Sequence, residues 1–101
     1  MSRYVLTSTA EDELEEILAY IAEQAGEDRA EHVLVHFLDA FEILASSPGI
    51  GHHKRPVTGE TLRWWPVFRF LVVYDPAAEP LTVLRVLHGA RDLSRVFRDE
   101  D

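Results

Sequence analysis

The stretch VFRFLVVYDPAAEPLTVLRVLHG, residues 67–89, decides the fold. It holds two runs dense in β-branched and aromatic residues, VFRFLVVYD (67–75) and PLTVLRVLHG (80–89), each with the length and composition of a strand. Between them Asp75-Pro76-Ala77-Ala78-Glu79-Pro80 is made of turn-forming residues, so the two runs pair as a hairpin. Just upstream, LRWW (62–65) reads as a further strand, and Pro66 places a tight turn or bulge between it and the next.

The first half of the chain has a different periodicity. After a short strand, RYVLT (3–7), Ser8 opens a helix with Glu11 three positions on, the pattern of a capping box. Leu14, Ile17, Leu18, Ile21 and Ala25 recur on one face, and Gly26 closes the helix. A second helix is predicted from about Asp28 to Ala45, with Ala30, Val33, Leu34, Phe37, Leu38, Phe41, Leu44 and Ala45 as its apolar side. Ser46-Ser47-Pro48-Gly49 stops it, and a Gly- and Pro-rich loop, PGIGHHKRPVTGE, leads to the strands. The order is β-α-α-β-β-β with a short terminal segment around Leu93–Phe97. This predicts an α+β fold: a curved, mainly antiparallel sheet with an N-terminal helical hairpin packed on one face.

At 101 residues the chain is expected to be one domain, 1–101, with a short acidic tail at 99–101. It has no cysteine, which excludes a disulfide framework, a thiol nucleophile and a cysteine zinc site. The N-terminus lacks a signal-peptide apolar core, and no apolar run approaches the roughly 20 residues a membrane helix needs. A soluble, cytoplasmic protein is expected. The net charge of −8 is unevenly spread. Residues 1–51 carry two arginines, Arg3 and Arg29, against eleven acids, whereas 52–98 carry Lys54 and seven arginines against four acids. Such a split predicts two faces with different partners, or simply an acidic, solvated helix pair.

Candidate chemistry clusters in the second half. His32 and His36 share a helix face with Asp39 a turn away, but on the solvated side without the H-E-x-x-H form, so no metal site is expected. His52 and His53 are adjacent and point apart in any strand. No Gly-x-Ser-x-Gly elbow, P-loop or dinucleotide fingerprint is present, and no cofactor is expected. Acid–base cleavage of RNA needs a base near neutrality, an acid and cations for the phosphorane charge. His88 at a strand end, with Arg63, Arg69, Arg85 and Lys54, supplies those residue types. Against it, Arg85 and His88 differ in parity and face opposite sides unless a bulge intervenes, and His88 can equally serve as the polar end of a buried strand. Of Trp64 and Trp65, one should fill the core and the other face a surface or partner. Arg63 shares the parity of Trp65, so that pair frames a possible contact patch.

In order along the chain, STAEDELEEI, SSPGIG, FRFLVVYD and above all VLRVLHGARDL resemble the RelE/ParE superfamily of toxins from type II toxin–antitoxin systems. The likeness runs from Tyr4 to Phe97 and is strongest to the ParE, or plasmid stabilisation, branch. It implies growth inhibition in the cytoplasm, a cognate antitoxin that folds on the toxin, and contact with operator DNA only through that antitoxin. For a ParE-like chain the resemblance implies a non-enzymatic poison of DNA gyrase, with Arg63, Trp65, Arg69, Arg91, Arg95 and Arg98 as candidate contacts.

For a RelE-like chain it implies a metal-independent, ribosome-dependent mRNA endonuclease using His88, Arg69, Arg63 and Lys54. A third alternative is an inactive interaction module of toxin ancestry. The nuclease pattern is incomplete. An arginine commonly stands three positions before the strand tyrosine, and here that position is Leu71; Arg69 shares its parity and is expected on the same face. The lysine-rich stretch is reduced to Lys54-Arg55, and Leu93, Val96 and Phe97 occupy the end where some nucleases carry a tyrosine. A net −8 is also unfavourable among ribosomal phosphates.

Overall fold

The structure is a computed structural model that describes residues 3–53 and 62–89. Its elements are β1 (Tyr4–Leu6), α1 (Ser8–Ala25), α2 (Glu27–Ser46), a 3-10 turn (Pro48–Ile50), β2 (Arg63–Val67), β3 (Phe70–Asp75) and β4 (Leu81–His88). The sheet order is β1-β4-β3-β2. The strand β1 runs parallel to β4, because the helical hairpin returns the chain before the later strands begin, and the other two pairings are antiparallel. The α+β fold and element order expected from the sequence are those observed. The sheet is mainly antiparallel, as expected, with the one parallel pairing at β1 making it mixed.

The cap of α1 lies one residue earlier than expected. Thr7, not Ser8, is the N-cap: its Oγ1 accepts the Ala10 N–H at 3.1 Å and donates to the Leu84 carbonyl at 2.9 Å. One hydroxyl therefore starts the helix and ties it to β4. Gly26 separates the helices at φ 97°, a conformation costly for any residue with a Cβ.

Both helices pack on one face of the sheet. The main core joins Ala10 and Leu14 from α1 and Val33, Phe37, Ala40, Phe41 and Leu44 from α2 to Phe70, Val72, Tyr74, Val83 and Val86 below. Each fully buried large side chain contributes about 1.5–3 kcal/mol. The arc of α2 that faces inward is centred on Phe37 and Leu44, so Ala40 is buried and Leu38, assigned to the apolar side by sequence, stays exposed. On the opposite face Leu71, Val73 and Leu87 form a second cluster with Leu62 and Trp64. Burial on both faces explains why 70–74 reads as an unbroken apolar run.

Two details of register correct the sequence reading. The break between the first two hairpin strands falls at Phe68-Arg69, and Pro66 lies within β2, paired with Leu71. Trp64 turns its N–H outward to the His52 carbonyl at 2.9 Å, and Pro66, two residues on, shares that outward orientation. Its missing N–H therefore removes nothing from the ladder with β3. A bulge shifts the β3–β4 register, so that Val73 faces Arg85 and Tyr74 faces Val83. It lies before Arg85, so Arg85 and His88 remain on opposite faces.

Candidate functional site

Where β1 ends, the edge of β4 continues without a strand beside it among the described residues, and a side chain takes that place. Glu13 of α1 accepts the Val86 N–H on Oε1 at 2.8 Å, while its Oε2 accepts both Nε and Nη2 of Arg85 at 2.9 and 2.6 Å. The Arg85 backbone belongs to the face of Val73, and its guanidinium reaches round the sheet edge to this carboxylate.

Beside Glu13 opens a groove of about 1160 Å³, walled by α1, the start of α2, the β2–β3 turn and the end of β4. Ile17, Tyr20 and Ile21 form one side. Phe68, Arg69 and Phe70 with Val86 and His88 form the other, and Arg29 and Val33 close the end. Two aromatic residues of this groove are unusually open to solvent, Tyr20 at 64% and Phe68 at 52%. Phe68 also has φ 56°, a left-handed conformation that costs a bulky residue about 1–3 kcal/mol and persists only where its surroundings impose it. Its ring is flanked by His36, centroids 4.9 Å apart, and more distantly by His32 at 6.5 Å. The two histidines, 4.6 Å apart, thus buttress the turn. Among the described residues no group of three or more His, Asp or Glu side chains is placed to hold a metal ion.

The sequence candidates separate in space. Arg69 and His88 share the groove, with the Gly89 N–H donating to the Arg69 carbonyl at 2.8 Å and the His88 ring perpendicular to Phe70 at 5.5 Å. Arg63 lies elsewhere, its Nη1 donating to the Gly51 carbonyl at 2.9 Å. Trp65 packs against the main core and Trp64 lies on the other face, so the Arg63–Trp65 pair borders the helix side of the sheet. His52 lies against Trp64 with the rings tilted by 33° and centroids 4.5 Å apart. Leu71 is buried on the face away from the helices, whereas Arg69, in the turn, lines the helix-side groove; their shared parity does not survive the hairpin. Lys54, Arg55, Arg91, Arg95, Arg98, the segment around Leu93–Phe97 and the tail lie outside the described residues.

Tyr74 is not a solvent-facing acid or base. Its hydroxyl is buried, accepts the Gly51 N–H at 2.9 Å and donates to the Pro48 carbonyl at 2.6 Å. Burial pushes its pKa up, opposed by the Gly51 hydrogen bond and the Arg63 charge.

The sequence reading passed over Tyr20, Arg29 and Phe68. Arg29 carried a signal: it is one of only two cations in the acidic half. Phe68 carried none, because its exposure follows from a turn placed two residues beyond the expected one.

The family model for the ParE toxin of type II toxin–antitoxin system, parDE, matches residues 4–93. No curated protein matches the chain. Among solved structures it is similar to the chromosomal ParDE TA system from P. aeruginosa, at 15% identity with a TM-score of 0.71, over 86% of this chain and 98% of that one. Among the described residues no helix is long and apolar enough to cross a membrane.

Proposed function

The chain belongs to the ParE toxin family of type II toxin–antitoxin systems, and from that premise we propose that it arrests growth by binding DNA gyrase in the cytoplasm, without chemistry of its own, and is neutralised by a cognate antitoxin. The observation that carries this reading is the structural engagement of two polar side chains of the strands, Tyr74 and Arg63, of which Arg63 is among the four residues a nuclease would use. The Tyr74 hydroxyl is spent on Pro48 and Gly51, the Arg63 guanidinium on Gly51, and Leu71 stands where the related nucleases carry an arginine. What stays open to a partner is the Arg69 turn at the end of β4, the point from which the chain runs on to Arg91, Arg95 and Arg98. We assign gyrase contact to this end; Arg63, paired with Tyr74 at the start of β2, and Trp65 lie away from it and would form a separate contact.

Supercoiling by purified gyrase tests the reading. Purified toxin should inhibit it and accumulate cleaved linear DNA, and the separately produced antitoxin should restore it. Folded toxin that leaves gyrase untouched would move the activity to mRNA on ribosomes. His88 and Arg69 sharing one groove is the observation that favours this second reading. In that case His88→Ala would abolish toxicity while preserving the fold.

A further inference from the structure

Five arginines lie among the described residues, and three are spoken for. Arg3 donates to Ser46 Oγ, Arg63 to the Gly51 carbonyl and Arg85 to Glu13. The remaining two, Arg29 and Arg69, have neither a hydrogen-bond acceptor nor a carboxylate within ion-pair distance among the described residues. In a chain of net charge −8, whose α1 and α2 expose acids along their length, two arginines unpaired among the described residues stand out. Both line the same groove, and so do the two open aromatic rings, Tyr20 and Phe68.

We infer that this end of the groove is the anchor for an acidic segment of the antitoxin, one carboxylate-bearing stretch docking on Arg29 and Arg69 with an apolar side chain held between Tyr20 and Phe68. The inference rests on the antitoxin reading above and adds the chemistry of the contact. A polypeptide fits better than a nucleic acid. Glu13 and Glu16 line the same groove, and the exposed Glu11, Asp12 and Glu15 continue along α1. A nucleic acid carries charge at every phosphate and would have to run along those carboxylates. A peptide can place its acids at the arginine end and apolar residues beside Ile17 and Ile21. Arg is suited to the task, since its planar fork holds a carboxylate through two hydrogen bonds. Antitoxin seated there covers the Arg69 turn, so neutralisation follows from occupying the surface assigned to the target.

The test is titration calorimetry of the antitoxin encoded beside this chain's gene against wild-type toxin and its Arg29→Glu, Arg69→Glu, Arg29→Lys and Arg69→Lys variants. Arg3→Glu serves as a control away from the groove. Each Glu variant should weaken binding by about tenfold to a hundredfold and each Lys variant by much less. Wild-type affinity should fall with salt. An Asp or Glu→Arg change in the antitoxin should restore binding to Arg69→Glu. Equal affinities for wild-type, Lys and Glu variants would overturn the anchor while leaving the antitoxin reading intact. Failure of the wild-type pair to associate would overturn both. A labelled oligouridylate that binds wild-type toxin and loses affinity in the same Glu variants would replace the peptide with a nucleic acid.

Discussion

Gly51 and Tyr74 meet so closely that only a hydrogen fits on the glycine: the Gly51 N–H donates to the Tyr74 hydroxyl at 2.9 Å, and a Cβ on Gly51 would collide with that same oxygen. Gly51 has an ordinary extended backbone, so the requirement is one of space and not of dihedral angle. Gly51→Ala should therefore cost about 1–3 kcal/mol by forcing the buried ring aside. Denaturant unfolding of the variant checks this. A midpoint equal to wild type would mean that the Pro48–Ile50 turn can give way freely.

Thr7 and Ser8 offer a sharper discrimination, because the sequence pattern favours one and the structure the other. Thr7→Ala removes both the cap on Ala10 and the bond to Leu84, and should destabilise by about 1–3 kcal/mol. Ser8→Ala, at an exposed first helical position, should stay within about 0.5 kcal/mol of wild type. Thermal melts of the two variants side by side decide it, and the reverse ranking would restore the Ser8–Glu11 box.

Glu13 stands in for a missing strand, and its two oxygens have unequal tasks. Glu13→Ala leaves the Val86 N–H without its acceptor and should cost about 1–3 kcal/mol. Arg85, with its side chain 47% exposed, contributes a solvent-screened ion pair, and Arg85→Ala should cost less than about 1 kcal/mol. Glu13→Gln keeps an oxygen for Val86 and should fall between them. Amide exchange at Val86, faster in Glu13→Ala than in Glu13→Gln, would report the mechanism directly.

Alkaline pH should weaken the fold through two tyrosines. Burial raises the pKa of Tyr74 and, with Glu42 adding to the effect, that of Tyr4, both above the usual 10.0. A pKa raised by folding means the folded state holds the proton more tightly. The associated stability is complete below pH 10 and is lost as pH rises through the higher folded values. Wild-type stability measured by denaturant should accordingly fall above about pH 10. Tyr4→Phe/Tyr74→Phe should flatten that decline while lowering stability at neutral pH, because Pro48 and Gly51 lose their partner. An unchanged alkaline slope would assign the loss to other groups.

Much of this architecture is legible in the chain because it is periodic. The 3.6-residue recurrence of Leu14, Ile17, Leu18 and Ile21, the stop at Pro48 and the apolar runs on either side of Pro76 are local patterns. They name helices, strands and their order without knowledge of what lies opposite. Family membership was legible for a related reason, since VLRVLHGARDL and its companions stand in a fixed order along the chain.

The candidate site is not periodic, and tertiary structure decided it. Whether Phe68 is strand or turn depends on how β2 registers against β3, with Pro66 tolerated because its nitrogen faces outward. Whether Arg69 joins Leu71 or His88 depends on that same turn. Arg29 stands forty residues from Arg69 in the chain, and only the return of the helical hairpin over the sheet brings both into one groove. Parity and helical spacing act over a few residues, whereas the pairing of distant charges, or the lack of it, is settled by packing between elements that no local pattern encodes.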